Sequence, residues 1–140
     1  MWTDHYVGIP FEINGRSRSG VDCWGLVCRV YADRLGIILP DKLGIYADNS
    51  RGNLEEVALA MGVEKEKWNE VSDPSDYDVV LMRHGPLACH VGVYVRGRVM
   101  LHSNYGCDSV VESVDSIYWR NRIVGYYRHD RTKNTLINTP

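Results

Sequence analysis

The chain has 140 residues, 44% of them hydrophobic and 24% charged, which suits one domain with a buried core rather than a disordered or fibrous polymer. Sixteen Lys and Arg against 18 Asp and Glu leave a net charge of −2 with the signs interspersed, so there is no basic field for nucleic acid. No apolar run approaches the roughly 20 residues needed to span a bilayer, and the four cysteines lack the spacing of a disulfide framework, so the thiols are expected to be reduced.

The N-terminal residues Met1-Trp2-Thr3-Asp4-His5 show no charged-then-apolar export signal. From Asp22 onward, Trp24, Val27, Cys28, Tyr31 and Leu35 recur at three- and four-residue spacings, which predicts an amphipathic helix over 22–35, ended by Gly36 and Pro40. Asp22 is a preferred N-cap residue, so Cys23 falls in the first turn. There the unpaired backbone N–H groups and the positive end of the helix dipole favour a thiolate and are placed to hold a developing oxyanion. Cys28, deeper in the apolar run, reads as core. A cysteine is more often a small buried hydrophobe than a nucleophile, so Cys23 needs partners before it implies chemistry.

Residues 41–52 are turn-rich and predict a surface excursion. Asn53 with Glu56 forms a capping pattern for a short helix Leu54 to Met61, closed by Gly62. Five strands are then expected: 78–82, 90–95, 98–102, 109–114 and 122–128. In His90-Val91-Gly92-Val93-Tyr94-Val95 the period of two puts His90, Gly92 and Tyr94 on one face and the valines on a core-facing side.

The turn around Arg96-Gly97-Arg98 decides whether His90 and His102 share a face. A two-residue turn pairs Val95 with Arg98 and Val91 with His102, which separates the histidines. A three-residue loop, with glycine at positive φ, pairs Val95 with Val99 and Gly92 with His102. The histidines then become diagonal neighbours with Gly92 leaving room between them, so this loop is the one predicted. A cysteine at a helix start and two histidines on a hairpin supply a nucleophile, a base and a group to orient the base.

Other readings compete for the same residues. Cys89, His90, His102 and Cys107 are soft ligands, but their spacings match no ordinary zinc ribbon or finger, and adjacent Cys89 and His90 point to opposite sides of a strand. No metal and no cofactor is expected. His5, His84 and His129 read as solvated side chains. Trp119, Tyr126 and Tyr127 read as core more than as a partner-binding surface. Residues 130–140 are polar and aperiodic and predict a tail beyond a single domain over 1–129.

These linked motifs resemble the NlpC/P60 cell-wall hydrolases, cysteine enzymes with a reduced papain-like fold. In that family an Asp-Cys-x-Gly-hydrophobic motif opens the catalytic helix, a His-Val-Gly-hydrophobic-Tyr strand carries the base, and a second polar residue, often histidine, follows on the next strand. Cys23, His90 and His102 match those positions. Gly8-Ile9-Pro10-Phe11, Gly15 and Ser19-Gly20-Val21-Asp22 resemble the approach to the cysteine, and Tyr77-Asp78-Val79-Val80 resembles the Gly-Asp-hydrophobic strand. The resemblance spans roughly residues 5–128 and implies an α+β fold, a catalytic helix packed on a central antiparallel sheet, with the histidine face meeting the helix start.

Two departures stand out. Where the family usually has serine after the cysteine this chain has Trp24, and Asp22-Cys23-Trp24-Gly25-Leu26-Val27 with Arg29, Tyr31, Leu35-Gly36-Ile37 and Pro40 is similar to a subgroup from tailed-phage tail-tip assembly proteins. Phe11 occupies the place where many relatives have a tyrosine near the cysteine, leaving Tyr6 as the nearby hydroxyl. Asp22, Trp24, Phe11 and Tyr6 are therefore the oxyanion or substrate candidates. The resemblance implies a cysteine endopeptidase acting on peptidoglycan stem peptides. The expected partners are that peptide and other tail-tip proteins, with neither nucleic acid nor a membrane span. The expected location is the virion tail tip, after synthesis in the host cytoplasm. A structural tail-assembly protein with little or no hydrolysis, and an amidase or acyltransferase using the same Cys-His pair, are the alternatives.

Overall fold

The computed structural model describes residues 1–40, 68–84 and 87–130, with the backbone alone for 87–89. The expected surface excursion over 41–52, the helix Leu54 to Met61, the side chain of Cys89 and most of the C-terminal tail lie outside the described residues. The architecture is α+β, as expected.

After a 3-10 turn, Trp2–His5, comes a small hairpin of β1 (Arg16–Ser17) and β2 (Gly20–Val21), and then helix α1 (Cys23–Val30). The helix continues as a π-helical turn, Tyr31–Leu35, and stops at Gly36, whose φ of 66° ends the spiral. The helical stretch thus runs from 23 to 35, one residue from the boundary that periodicity predicts. Its apolar side, Leu26, Val27, Val30 and Tyr31, is fully buried.

The main sheet has six antiparallel strands in the order β3-β8-β4-β5-β6-β7. They are β3 (Trp68–Val71), β4 (Val79–His84), β5 (Leu87–Val95), β6 (Val99–His102), β7 (Val110–Ser113) and β8 (Ile123–His129). Five match the expected segments within a few residues. The additional strand β3 is an edge strand whose Asn69 and Glu70 are exposed, so it carries no apolar alternation to betray it. Through the pairing Trp68↔His129 it buries a histidine that sequence reasoning placed in solvent: the His129 ring meets Trp68 edge-on at 4.8 Å.

The sheet is buried on both faces. Val79, Leu81, Val91, Val93, Val95 and Leu101 pack in one cluster with Cys23, Trp24 and the rest of α1. Val80, Met82, Tyr94 and Met100 pack in a second cluster with Val114 and Trp119. The body of α1 therefore covers the valine face, whereas the histidine face is roofed by the segment that carries Trp119. Trp119 is core, 2% exposed. The expectation that the histidine face itself meets the helix start is modified accordingly: only the strand ends bring the two together.

Two polar clamps hold the strands in place. Asp78, fully buried at the start of β4, accepts from Arg128 Nε (2.8 Å) and Nη2 (2.7 Å) on β8 and from the Ser75 N–H (2.7 Å). Tyr77 before it has φ 77°, a left-handed conformation that suits the glycine of the family motif better than an aromatic residue. The Tyr31 hydroxyl donates to the Tyr77 carbonyl, and Trp2 packs on its ring at 4.8 Å, so neighbours hold the strained residue. At the other end Ser109 ties the N-terminal segment to the approach to β7: its hydroxyl accepts from the Ile9 N–H at 2.8 Å and donates to the Tyr6 carbonyl.

Candidate active site

The start of α1 is fixed by Asp22. Its Oδ1 accepts from the Gly25 N–H at 2.7 Å and from Arg16 Nη1 at 2.8 Å, and its Oδ2 from the Asn14 N–H at 3.1 Å. The carboxylate is wholly buried. Burial pushes its pKa above the ordinary 3.8, opposed by the Gly25 N–H and the Arg16 charge. Gly25 is demanded by close approach: a Cβ there would lie 1.9 Å from the Gly15 carbonyl oxygen. The Asp-Cys-x-Gly spacing is thus a cap plus the one residue small enough to let the incoming loop pass under the first turn. Cys23 occupies that first turn, 1% exposed.

Trp24 is buried, and its indole N–H donates to the Pro40 carbonyl at 2.6 Å. Cys28, expected in the core, is only half-buried, with Sγ 3.8 Å from the same carbonyl, because the chain after Gly36 folds back along that side of the helix only in part. Phe11 bridges Val21 and stacks edge-on with Tyr105 at 5.4 Å, which places it beside the helix start. Tyr6 directs its hydroxyl at Asp33, 3.1 Å away. Among the oxyanion and substrate candidates, Asp22 adjoins Cys23 in the chain and Phe11 is bridged to Val21 just before it, while the Trp24 and Tyr6 polar groups are engaged elsewhere.

The hairpin has the register predicted for a three-residue loop. Val95 pairs with Val99 and Gly92 with His102, with Gly97 at φ 96° and Arg98 at φ 64°. Gly92 is a true gap: a Cβ there would lie 3.0 Å from that of His102. Across it His90 Nε2 and His102 Nδ1 are 2.9 Å apart, both rings buried. Trp119 stacks on His90 at 5.5 Å and meets His102 edge-on at 5.2 Å. The far nitrogen of His102, Nε2, lies 2.7 Å from Glu112 Oε1.

Sequence reasoning missed Glu112. On β7 it pairs with Met100, diagonal to His102 on the same face, but the connection 103–109, although rich in turn formers, is too long for its residues to set the register.

The remaining nitrogen of His90, Nδ1, is buried with no hydrogen-bond partner among the described residues, and so is His84 Nε2. His84 is not the solvated loop residue expected. β4 runs past a bulge at Met82/Arg83 and sets its ring 5.3 Å from His90. Burial, then the neighbouring His102 and His84, hold the His90 imidazole well below its ordinary 6.5. Burial also lowers His102, with Glu112 pulling it back up, and lowers His84 together with Arg122 and His102.

The helix start and the histidine pair lie at the same end of the sheet. Immediately after His102, the Ser103 hydroxyl donates to the Val21 carbonyl at 3.3 Å, two residues before Cys23. The structure thus brings His90, His102 and Glu112 into one hydrogen-bonded chain, and the Ser103–Val21 hydrogen bond ties the strand end after His102 to the segment that leads into Cys23. His90 Nδ1 makes no hydrogen bond to the thiol. Cys107, one of the possible zinc ligands, is exposed. Among the described residues no group of three or more His, Cys, Asp or Glu is placed to hold a metal ion, and no helix is long and apolar enough to cross a membrane.

Known proteins resemble this chain in sequence and in fold. The chain is 25% identical over 82% of its length to the murein DD-endopeptidase MepS/murein LD-carboxypeptidase of Escherichia coli strain K12, and covers 53% of that protein. It is 30% identical over 81% of its length to a probable endopeptidase of Haemophilus influenzae and covers 62% of it. The chain therefore spans about half to three-fifths of the curated relatives it matches. Among solved structures, a lipoprotein-like NLP/P60 family protein of Staphylococcus aureus superposes with a TM-score of 0.62 at 24% identity, over 89% of this chain and 37% of that one. The NlpC/p60 domain of the peptidoglycan hydrolase SagA gives 0.60 at 19%, over 88% and 89%. These two show the fold. The NlpC/P60 family model itself matches residues 8–128, and the chain belongs to the NlpC/P60 family.

Proposed function

We propose that this chain is a cysteine endopeptidase that cuts peptidoglycan stem peptides, with Cys23 as nucleophile, His90 as base and His102 as the group that orients the base. One observation carries the reading. The two imidazoles are buried and joined Nε2 to Nδ1, which leaves His90 Nδ1 as the ring nitrogen outside that hydrogen bond, at the sheet end where α1 begins. The relatives named as murein endopeptidases support the substrate class.

Cys23 loses its proton to His90 Nδ1, and the thiolate attacks an amide carbonyl at the helix N-terminus, where backbone N–H groups face the developing oxyanion. The C–N bond then breaks, the leaving amine takes the proton back from His90, and water activated by the same nitrogen hydrolyses the thioester. A resting structure without a thiol–imidazole hydrogen bond is compatible with this, because catalytic contacts are often long until substrate binds. Phe11 and the exposed Tyr105 form an aromatic wall beside the site that suits the aliphatic part of a stem peptide.

The finer setting proposed is a phage tail tip, with other tail proteins as partners and the virion as location. Its support is local: Trp24 and Pro40, two residues of the tail-tip-like pattern, are joined by a hydrogen bond and form one structural unit.

Purified sacculi incubated with the protein and analysed by mass spectrometry test the reading. New stem-peptide amines and carboxylates are expected, with at least a hundredfold loss in Cys23→Ala, on the order of what a covalent nucleophile contributes. If Cys23→Ala cuts as well as the parent, this site is not the active site. If neither the protein nor intact particles cut, the structural tail-assembly alternative takes its place.

A further inference from the structure

We infer that Glu112 is a positioning residue that sets the tautomer of both histidines and so decides which nitrogen of His90 is basic; this rests on the proposal that His90 is the base. The placement of the protons leads there. An ionised carboxylate only accepts hydrogen bonds, so at the 2.7 Å contact His102 Nε2 must carry the hydrogen. A neutral His102 then has a lone pair on Nδ1, which accepts across 2.9 Å from His90 Nε2–H. His90 is left with its lone pair on Nδ1, the buried atom that has no hydrogen-bond partner among the described residues.

Two neutral histidines alone can run this chain in either direction. In the reverse direction His102 Nδ1–H donates to His90 Nε2, and His90 Nδ1 carries the hydrogen and cannot accept one from a thiol. The carboxylate at the end of the chain removes that degeneracy. It also supplies a charge for the imidazolium that forms when His90 is protonated, which a terminal neutral histidine lacks.

Placement and exposure suit the role. Glu112 stands on β7 at the edge of the sheet, diagonal to His102 on the same face, with its side chain 44% exposed and its partner's 1% exposed. Truncating it removes little packing and leaves the fold in place.

The test is two-bond 1H–15N spectroscopy of 15N-histidine-labelled parent, Glu112→Ala and Glu112→Asp proteins, with hydrolysis of a soluble stem-peptide fragment alongside. In the parent both His90 and His102 are expected as Nε2–H tautomers. In Glu112→Ala a measurable Nδ1–H population is expected in both, with kcat down about tenfold or more, the scale seen when an outer partner of a functional histidine is lost, and KM changed little. Glu112→Asp is expected to recover part of both. Tautomers in Glu112→Ala identical to the parent's overturn the inference. The spectra need no substrate, so they decide the role of Glu112 even if the parent hydrolyses nothing, an outcome that would defeat the endopeptidase reading instead.

Discussion

The start of α1 and the histidine chain differ in how completely their polar groups are satisfied. Asp22 is buried with three donors on its two oxygens, and every contact fixes the first turn of the helix. His90 and His102 are equally buried, yet among the described residues one nitrogen of His90 has no partner, and neither has one of the neighbouring His84. An unpaired buried polar atom costs about 1–3 kcal/mol, so selection for stability alone would fill or remove it. One region is scaffold that holds the cysteine, and the other keeps hydrogen-bonding capacity where the proposed mechanism moves a proton.

The contrast can be broken first from the scaffold side. Gly25→Val would drive side-chain carbon into the Gly15 carbonyl, where even a Cβ comes to 1.9 Å, and would pull the Asp22 cap off its donors. A loss of about 3 kcal/mol or more is expected, at the upper end for overpacking at a rigid site. Urea denaturation monitored by tryptophan fluorescence measures it, and a stability within about 1 kcal/mol of the parent's would show that the loop and helix can move apart.

On the histidine side, stability and activity should separate. His90→Gln keeps a planar group of similar size against Trp119 and an N–H to offer His102, but supplies no base. Hydrolysis is expected to fall at least a hundredfold, the low end for a general base, while the urea midpoint changes less than in Gly25→Val. Retained hydrolysis in His90→Gln would refute the assignment of the base.

Much of this contrast was legible in the residues. Asp22 announces a cap, and Arg96-Gly97-Arg98 implied the loop that pairs Gly92 with His102, whereas the close approach that demands Gly25 depends on where the Gly15 loop passes. What stayed hidden depends on registers and layers that no local pattern encodes. Glu112 joins the chain only because β7 pairs with β6 after a connection too long for its turn residues to fix the register, and His84 because a bulge carries β4 past Met82. The second core was hidden for a similar reason. Alternation along β5 distinguishes valines from His90, Gly92 and Tyr94, but it cannot say that Trp119, seventeen residues beyond His102, roofs the histidine face.

The smallest expected effect is a pH dependence of stability that belongs to the histidine face alone. His84, His90 and His102 all have imidazoles held below 6.5 by burial, so they are neutral in the folded chain where the unfolded chain is already protonating. In that window the unfolded state binds more protons, and stability rises with pH. The contribution is complete above about 6.5 and is lost as pH falls toward the folded values. Asp22 acts oppositely and at lower pH, because its carboxyl, raised above 3.8 by burial, keeps a proton in the folded state where the unfolded chain has released it. Urea midpoints at pH 7.5, 6.5 and 5.5 should therefore fall in that order, and His90→Gln should flatten the slope by up to one proton, about 1.4 kcal/mol per pH unit. A midpoint that does not move between pH 7.5 and 5.5 would mean that water reaches the His84 and His90 rings. The buried His90 nitrogen, without a partner among the described residues, would then no longer set this region apart from the helix start.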